Sequence, residues 1–333
     1  MSAGRVTGWL RARVQRHPWL LLRIPAGLVV TALVAGAVET VRERREARDL
    51  TMPGELVDIG GRRLHLECRG SGSPAVVLIP GVGETSAAWG WIAPGVARVT
   101  RVCAFDRAGR GWSEDAPAPQ DGRALAEDLH LLLERGGVAG PVVLAGHSLG
   151  GLYLRAFAVD YPGKVAGAVL LDATSPRMFT GIPSYPGFYR VISRVTRFFP
   201  AMAPFGLARL INSAAFDGLP ADSRRVQQAL WATPRHARSQ RDEWAQAPGA
   251  MAQAAELRSL GQRPLIVVTA GQGAMEGWLP LQEEMAALSA NSLHRVVGGT
   301  DHAGLVGTES GAAAATRAIA EVVLAVRSGR PLR

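Results

Sequence analysis

Residues 141–161 read PVVLAGHSLGGLYLRAFAVDY. The first five, Pro141 to Ala145, form a short apolar run bounded by Gly140 and Gly146, the pattern of a buried strand. After them Leu152, Leu154, Phe157, Ala158 and Tyr161 recur at roughly helical spacing. Ser148 therefore falls on a sharp turn between a strand and a helix. Such a turn brings backbone against backbone, and glycine at 146 and 150 removes the Cβ atoms that would collide. The turn pushes the serine hydroxyl into the open and aims the first helical N–H groups, beginning with that of Leu149, at any oxygen that turns negative beside it. Ser148 is thus a candidate nucleophile on an elbow. The competing reading is chance, two glycines and a serine falling at these positions by their ordinary frequencies, which the flanking strand and helix patterns disfavour.

Outward from this stretch the chain alternates strand and helix signals. ELVDI (55–59) and RRLHLEC (62–68), separated by Gly60-Gly61, read as a hairpin. AVVLIPG (75–81), TRVCAFD (100–106), VAGAVLLDA (165–173), PLIVVTAG (264–271) and LHRVVGG (293–299) read as strands, with helical patterns at 124–133 and near the C-terminus. Strands alternating with helices after a hairpin imply an α/β fold, a mostly parallel sheet covered on both faces. From residue 175 to about 250 the alternation breaks into a proline- and aromatic-rich stretch with Tyr185, Phe188, Phe198 and Phe199, which reads as a lid over the sheet's carboxyl edge. Within it GFYRVISRVTRFF has two readings, a lid helix packed on the protein or a basic amphipathic helix touching lipid. The organisation is then an N-terminal anchor and linker (1–52), core (53–174), lid (175–250) and core again (251–333).

A serine hydroxyl is a poor nucleophile until a neighbouring base takes its proton. Of the seven histidines, His302, in GGTDHAGLV just past the last strand, sits where a loop returns over the carboxyl edge. His147 adjoins the serine and points its ring elsewhere, His65 lies inside a hairpin strand in a structural position, and His17, His130, His236 and His294 read as surface or helix residues. The imidazole needs a carboxylate to fix its tautomer. Asp172 ends the strand that follows the serine's helix, at the same edge, and is the favoured acid; Glu276, in the loop after the next strand, is the alternative. Asp301 is too close to His302 in sequence to approach its ring. A second N–H for an oxyanion would come from Val82, in the turn Pro80-Gly81-Val82-Gly83.

The chain has 333 residues, 47% hydrophobic and 20% charged, which excludes a disordered protein. The net charge of +9 does not imply nucleic acid, because nine arginines crowd the first 48 residues around one apolar segment and no aromatic-rich recognition motif accompanies them. That segment, Trp19 to Val38, would span about 30 Å as a helix. A single-pass membrane anchor is the favoured reading, and a cleaved signal peptide ending near Ala35-Gly36-Ala37 the alternative. Arginines flank it on both sides, which leaves its orientation open. Two cysteines, Cys68 and Cys103, exclude a disulfide scaffold and a cysteine-rich metal site, and no metal or cofactor is expected.

GHSLGG, CAFDRAGRGWS, the PGVG turn and the terminal DH loop together resemble the α/β-hydrolase superfamily, more narrowly its membrane-anchored bacterial hydrolases, over residues 54 to 325. The resemblance implies an eight-stranded sheet in the order 1-2-4-3-5-6-7-8, a lid after the sixth strand and a Ser-acid-His triad. Carried onto this chain, Ser148 is the nucleophile, His302 the base, and Leu149 and Val82 the oxyanion donors. The acid usual after strand seven is missing, which moves that role to Asp172. Pro80 replaces a common histidine, a change that leaves a backbone oxyanion hole intact. In this fold Cys68 and Cys103 lie on neighbouring strands, so a disulfide is possible in an oxidising compartment. The implied activity is cofactor-free hydrolysis of an ester or related acyl bond in a small, apolar substrate. A non-catalytic binding module and a perhydrolase are the alternatives.

Overall fold

The computed structural model describes residues 20–211 and 216–333. Its centre is a sheet of eight strands: β1 (Glu55–Asp58), β2 (Arg63–Arg69), β3 (Val76–Ile79), β4 (Val102–Phe105), β5 (Val142–His147), β6 (Val165–Leu171), β7 (Leu265–Ala270) and β8 (Ser292–Val297). The spatial order is β1-β2-β4-β3-β5-β6-β7-β8, the order the resemblance implies. β1 and β2 form an antiparallel hairpin whose turn puts both Gly60 and Gly61 at positive φ, as a tight two-residue turn requires. β2 also runs antiparallel to β4, and every later pairing is parallel. The central strands β3, β5 and β7 are buried along their whole length, which is why they read as unbroken apolar runs.

Helices cover both faces. In chain order the longer ones are α1 (Leu20–Asp49), α2 (Ile92–Ala97), α3 (Gly122–Arg135), α4 (Gly150–Asp160), α5 (Tyr185–Met202), α6 (Ala221–Trp231), α7 (Pro234–Ala254), α8 (Trp278–Ala286) and α9 (Glu309–Ser328). One face of the sheet packs Leu129 and Leu132 of α3, Leu152 and Phe157 of α4, and Ala247 and Met251 of α7. The other packs Ile92 and Val96 of α2 with Ile319, Val322 and Val323 of α9. Cys68 and Cys103 stand directly opposite in the β2–β4 register and are joined by a disulfide, with Cα atoms 4.0 Å apart.

The insertion between β6 and β7 holds α5, α6 and α7, and GFYRVISRVTRFF lies in α5, a helix packed on the protein. α5 buries Tyr185, Thr196 and Phe199 and leaves its other face to solvent. The boundary drawn at residue 250 falls inside α7, whose last turns bury Ala247, Ala250, Met251 and Ala254 in the main core. The half of α7 nearer β7 is a core helix rather than lid.

Residues 39–49, read from sequence as linker, are helical: α1 runs on to Asp49. Arg209 of the insertion holds Glu39 (2.7 Å) and Glu46 (2.9 Å), one face of that helix, and Arg42 pairs with Glu46 one turn on. The proposed anchor, 19–38, begins outside the described residues, and His17 and the arginines before it lie outside them as well. Where α1's side chains are described, Val29, Val30, Leu33, Val34 and Val38 are exposed. Among the described residues no helix is long and apolar enough to cross a membrane.

Candidate active site

The carboxyl ends of β3, β5, β6 and β8 deliver the turns that carry Val82, Ser148, Asp172 and His302. Ser148 follows β5 with φ +53°, a conformation that costs a non-glycine residue about 1–2 kcal/mol. It is held there by its neighbours. Its N–H donates to Leu171 O (3.2 Å), and its carbonyl accepts from Gly151 N (3.0 Å) and Thr174 N (2.9 Å). A Cβ on Gly146 would lie 2.7 Å from Gly150 O, and one on Gly150 would strike Ile79 O of β3. Both glycines are therefore required by the close approach that the sequence predicted.

Asp172 is the other non-glycine residue at positive φ among the described residues, at +43°. The two strained positions sit side by side on adjacent strand ends, as backbone strain at a functional site does. Asp172 Oδ2 accepts from His302 Nδ1 at 2.6 Å, while Oδ1 accepts from Ala270 N (3.1 Å) and Trp278 Nε1 (2.9 Å). Burial pushes this carboxyl up, but the hydrogen bond and charge of His302, with the donors Trp278 and Ala270, outweigh it and hold Asp172 below the usual carboxylate range. An ionised Asp172 at Nδ1 fixes the neutral imidazole in the tautomer that leaves a lone pair on Nε2. The His302 side chain is half-exposed, and Trp278 meets its ring edge-on at 6.0 Å.

Glu276 is exposed and makes no hydrogen bond to His302, although its neighbours Met275 and Trp278 reach the same cavity. Asp301 caps the turn after His302 by accepting from Gly304 N at 2.8 Å. His65 is buried against Asp106 (3.0 Å), which also accepts from Ser86 N and Trp112 N and ties the hairpin to the loop after β4. His236 lies on α7 as a helix residue but is buried, not at the surface.

The N–H of Val82 is oriented by residues that sequence reasoning missed. Arg107, in the DRAGRG loop after β4, donates to Pro80 O and to Gly81 O (2.8 Å), and Gly81 N donates to Glu84 Oε2 at 2.5 Å. In a trans peptide the N–H points opposite to the carbonyl, so anchoring Gly81 O on Arg107 turns the Val82 N–H the other way. Neither Val82 N nor Leu149 N has a hydrogen-bond acceptor among the described residues, and both residues line the cavity of Ser148 and His302. Leu149 stands at the N-terminus of α4, where the helix dipole adds positive potential.

Glu84 also accepts from His147 Nδ1 at 2.8 Å, and His147 Nε2 faces the carbonyl of His302 at 3.1 Å. Both partners of this buried ring are acceptors, so both bonds form only when Glu84 and His147 share two protons between them. Burial works against charge at each, but their mutual attraction and hydrogen bond hold the Glu84 carboxyl below its ordinary range and raise His147 above 6.5. The pair struts the Val82 turn, the elbow and the His302 loop together. The signal for it was an acid, Glu84, in an otherwise apolar glycine turn.

Deeper in, Glu243 of α7 pairs with Arg107 (2.8 Å) and Arg110 and accepts from Tyr153 OH (2.8 Å), all buried. The cavity above Ser148 measures about 300 Å³ and is lined largely by apolar side chains, among them Met178, Tyr185, Phe188, Trp244 and Trp278. Among the described residues no cluster of three or more His, Cys, Asp or Glu could hold a metal ion.

Comparison with known proteins agrees with this architecture. An uncharacterized protein of Schizosaccharomyces pombe is 27% identical over 290 residues, covering 76% of this chain and 53% of that protein. The chain thus spans about half the length of this relative. A thermophilic esterase from Thermogutta terrifontis superposes with a TM-score of 0.60 at 22% identity, covering 81% of this chain and 97% of its own. A putative epoxide hydrolase from Pseudomonas aeruginosa gives 0.69 at 20% identity, covering 84% and 97%. At these identities the superpositions speak to the fold alone. The family described as alpha/beta hydrolase fold matches residues 74–307, and the chain belongs to it.

Proposed function

We propose that this protein is a serine hydrolase that cleaves an ester or related acyl bond through an acyl-serine intermediate. The observation that carries the reading is the Asp172–His302 hydrogen bond at 2.6 Å, made at the mouth of the cavity that Ser148 also lines. His302 Nε2 takes the proton from Ser148 Oγ as that oxygen attacks the carbonyl carbon. The carbonyl oxygen becomes negative and receives the N–H groups of Val82 and Leu149. Collapse expels the alcohol, which leaves with the proton from Nε2. Water, deprotonated by the same nitrogen, then hydrolyses the acyl-serine and returns the enzyme.

A serine at the elbow supports an acyl intermediate. A carboxylate there would instead form an alkyl ester from an epoxide or haloalkane. The cavity lies at the small end of the range of ligand sites, roughly 300–1,000 Å³, and its apolar lining favours a short apolar acyl or alcohol group. Turnover of p-nitrophenyl butyrate and fluorophosphonate labelling of the Ser148 peptide, both abolished by Ser148→Ala, are the expected results. A wild-type protein that binds esters but neither turns them over nor takes the label would instead be a binding module.

The chain is also proposed to sit at a membrane through residues 19–38, a reading supported by the exposed valines and leucine of α1. Retention in the pellet after alkaline carbonate washing is expected, and release of a shortened chain would mark a cleaved signal instead.

A further inference from the structure

Between Asp172 and Asp217 the chain carries five arginines and no acidic residue. Two of the five are committed: Arg177 to Glu284 (2.9 Å) and Arg209 to Glu39 and Glu46. The other three, Arg190, Arg194 and Arg197, follow one another at i, i+4 and i+7 along α5. They are exposed and make no ion pair among the described residues. Beside them on the helix runs an apolar stripe, Phe188, Val191, Val195 and Phe198, with relative exposures of 40%, 63%, 44% and 63%. The helix has already met its packing needs through Tyr185, Thr196 and Phe199, which lie across the helix from the three arginines and leave the stripe between the two uncovered. An exposed apolar stripe edged by unpaired cations is the pattern of a helix lying in a membrane interface. The stripe enters the acyl-chain boundary and the guanidinium groups reach lipid phosphates.

Two placements tie this surface to the rest of the molecule. Past the end of α5, Phe205 lies beside Gly36 of α1, next to that helix's own exposed apolar run. Phe188, at the other end of the stripe, lines the cavity of Ser148. We propose that α5 docks onto a bilayer rich in anionic lipid, burying Val191, Val195 and Phe198 in it and setting Arg190, Arg194 and Arg197 on its headgroups. The substrate cavity then opens toward the lipid phase. This holds independently of the activity proposed above.

The test uses the full chain in nanodiscs of phosphatidylcholine alone or with phosphatidylglycerol. An environment-sensitive fluorophore goes on Val195→Cys, and a control on Lys164→Cys, which precedes β6 at the opposite edge of the sheet. There are no free cysteines among the described residues to compete for the label. At position 195, and not at 164, the emission shifts to shorter wavelength and is quenched by brominated lipid in the anionic discs. The shift is lost in 0.5 M salt and in the triple variant Arg190→Gln/Arg194→Gln/Arg197→Gln, whose docking weakens by roughly a hundredfold. Water-like emission at 195 in anionic discs overturns the proposal. So does a blue shift without bromolipid quenching, which means that protein covers the helix, and so does quenching that ignores both salt and the arginines. A chain released from the discs is mixed with vesicles of the same two compositions. Flotation with the anionic ones alone supports docking by α5 without an anchor, and failure to float with either refutes it.

Discussion

Asp172→Asn isolates the carboxylate from the fold around it. Oδ1 of Asp172 is pinned by two donors, Ala270 N and Trp278 Nε1, so an asparagine must present its own carbonyl oxygen to them. That choice sends the amide NH₂ toward His302 Nδ1, where Oδ2 now accepts at 2.6 Å. A donor facing Nδ1 forces the imidazole proton onto Nε2, the nitrogen that must accept from Ser148, and leaves the imidazolium of the transition state unsupported. The expected fall in kcat/KM is about 10⁴, the size found when an acid of this kind becomes an amide, equivalent to roughly 5.5 kcal/mol of transition-state stabilisation. Because both Oδ1 hydrogen bonds survive, the melting temperature should move by only a few degrees. The assay is hydrolysis of p-nitrophenyl butyrate beside a thermal melt, with Glu276→Gln as control and expected within about twofold of wild type. Residual activity above about a tenth in Asp172→Asn, or a comparable loss in Glu276→Gln, would refute the assignment of the acid.

Glu84→Gln removes one member of the shared-proton pair and is expected to cost about 2 kcal/mol. Glu84 is depressed below its ordinary 4.5, so its contribution is present above that pH and fades as pH falls through the folded value; His147 is raised above 6.5, so its contribution is complete below 6.5 and fades as pH rises through the folded value. The gap in denaturation midpoint between wild type and variant should therefore be widest between about pH 4.5 and 6.5 and narrow toward pH 9; a gap that does not change with pH would count against the pair. Breaking the Cys68–Cys103 link with Cys103→Ser opens a closure of 35 residues, worth about 2–4 kcal/mol, read as a lower urea midpoint than wild type; an unchanged midpoint in non-reducing buffer would mean that the two thiols do not pair in solution. Gly150→Ala drives a Cβ into Ile79 O of β3 and should abolish labelling of Ser148 even where folded protein is recovered; full labelling would show that the elbow relaxes more readily than its packing implies.

The sheet was legible because its signals are local. Gly60-Gly61 between two alternating runs announces the hairpin, and β3, β5 and β7 announce themselves as apolar stretches buried on both faces. Ser148 and His302 were legible by position, one on a glycine-flanked turn and the other on the loop after the last strand. Asp172 could be favoured from its strand end alone. What escaped is contact between distant loops. Trp278 reaches Asp172 across 106 residues and Glu84 reaches His147 across 63, and nothing in either local sequence names the partner. The helical run to Asp49 escaped because a charge-rich segment without apolar periodicity reads as linker until Arg209 of the insertion gives one face a partner. The lid boundary was missed because α7 carries its lid and core duties along one uninterrupted helix.

The carboxylate of Glu243, clamped between two guanidinium groups and a phenol, decides which part of the cover can swing. Lifting α7 would strand these ions away from one another in a low-dielectric interior, at several kcal/mol for each charge left alone. Peeling back α5 parts no ion pair of that helix among the described residues: it separates Phe188 and Tyr189 from Trp244 and Phe199 from Trp231, uncovers Tyr185, and breaks one hydrogen bond from Tyr189 OH to Trp244 O (2.9 Å). The first rearrangement is a breach of the frame and the second the turn of a door. The route expected for a ligand is therefore past α5, with the wall of the pocket built from Asp172 and Trp278 standing still as it passes.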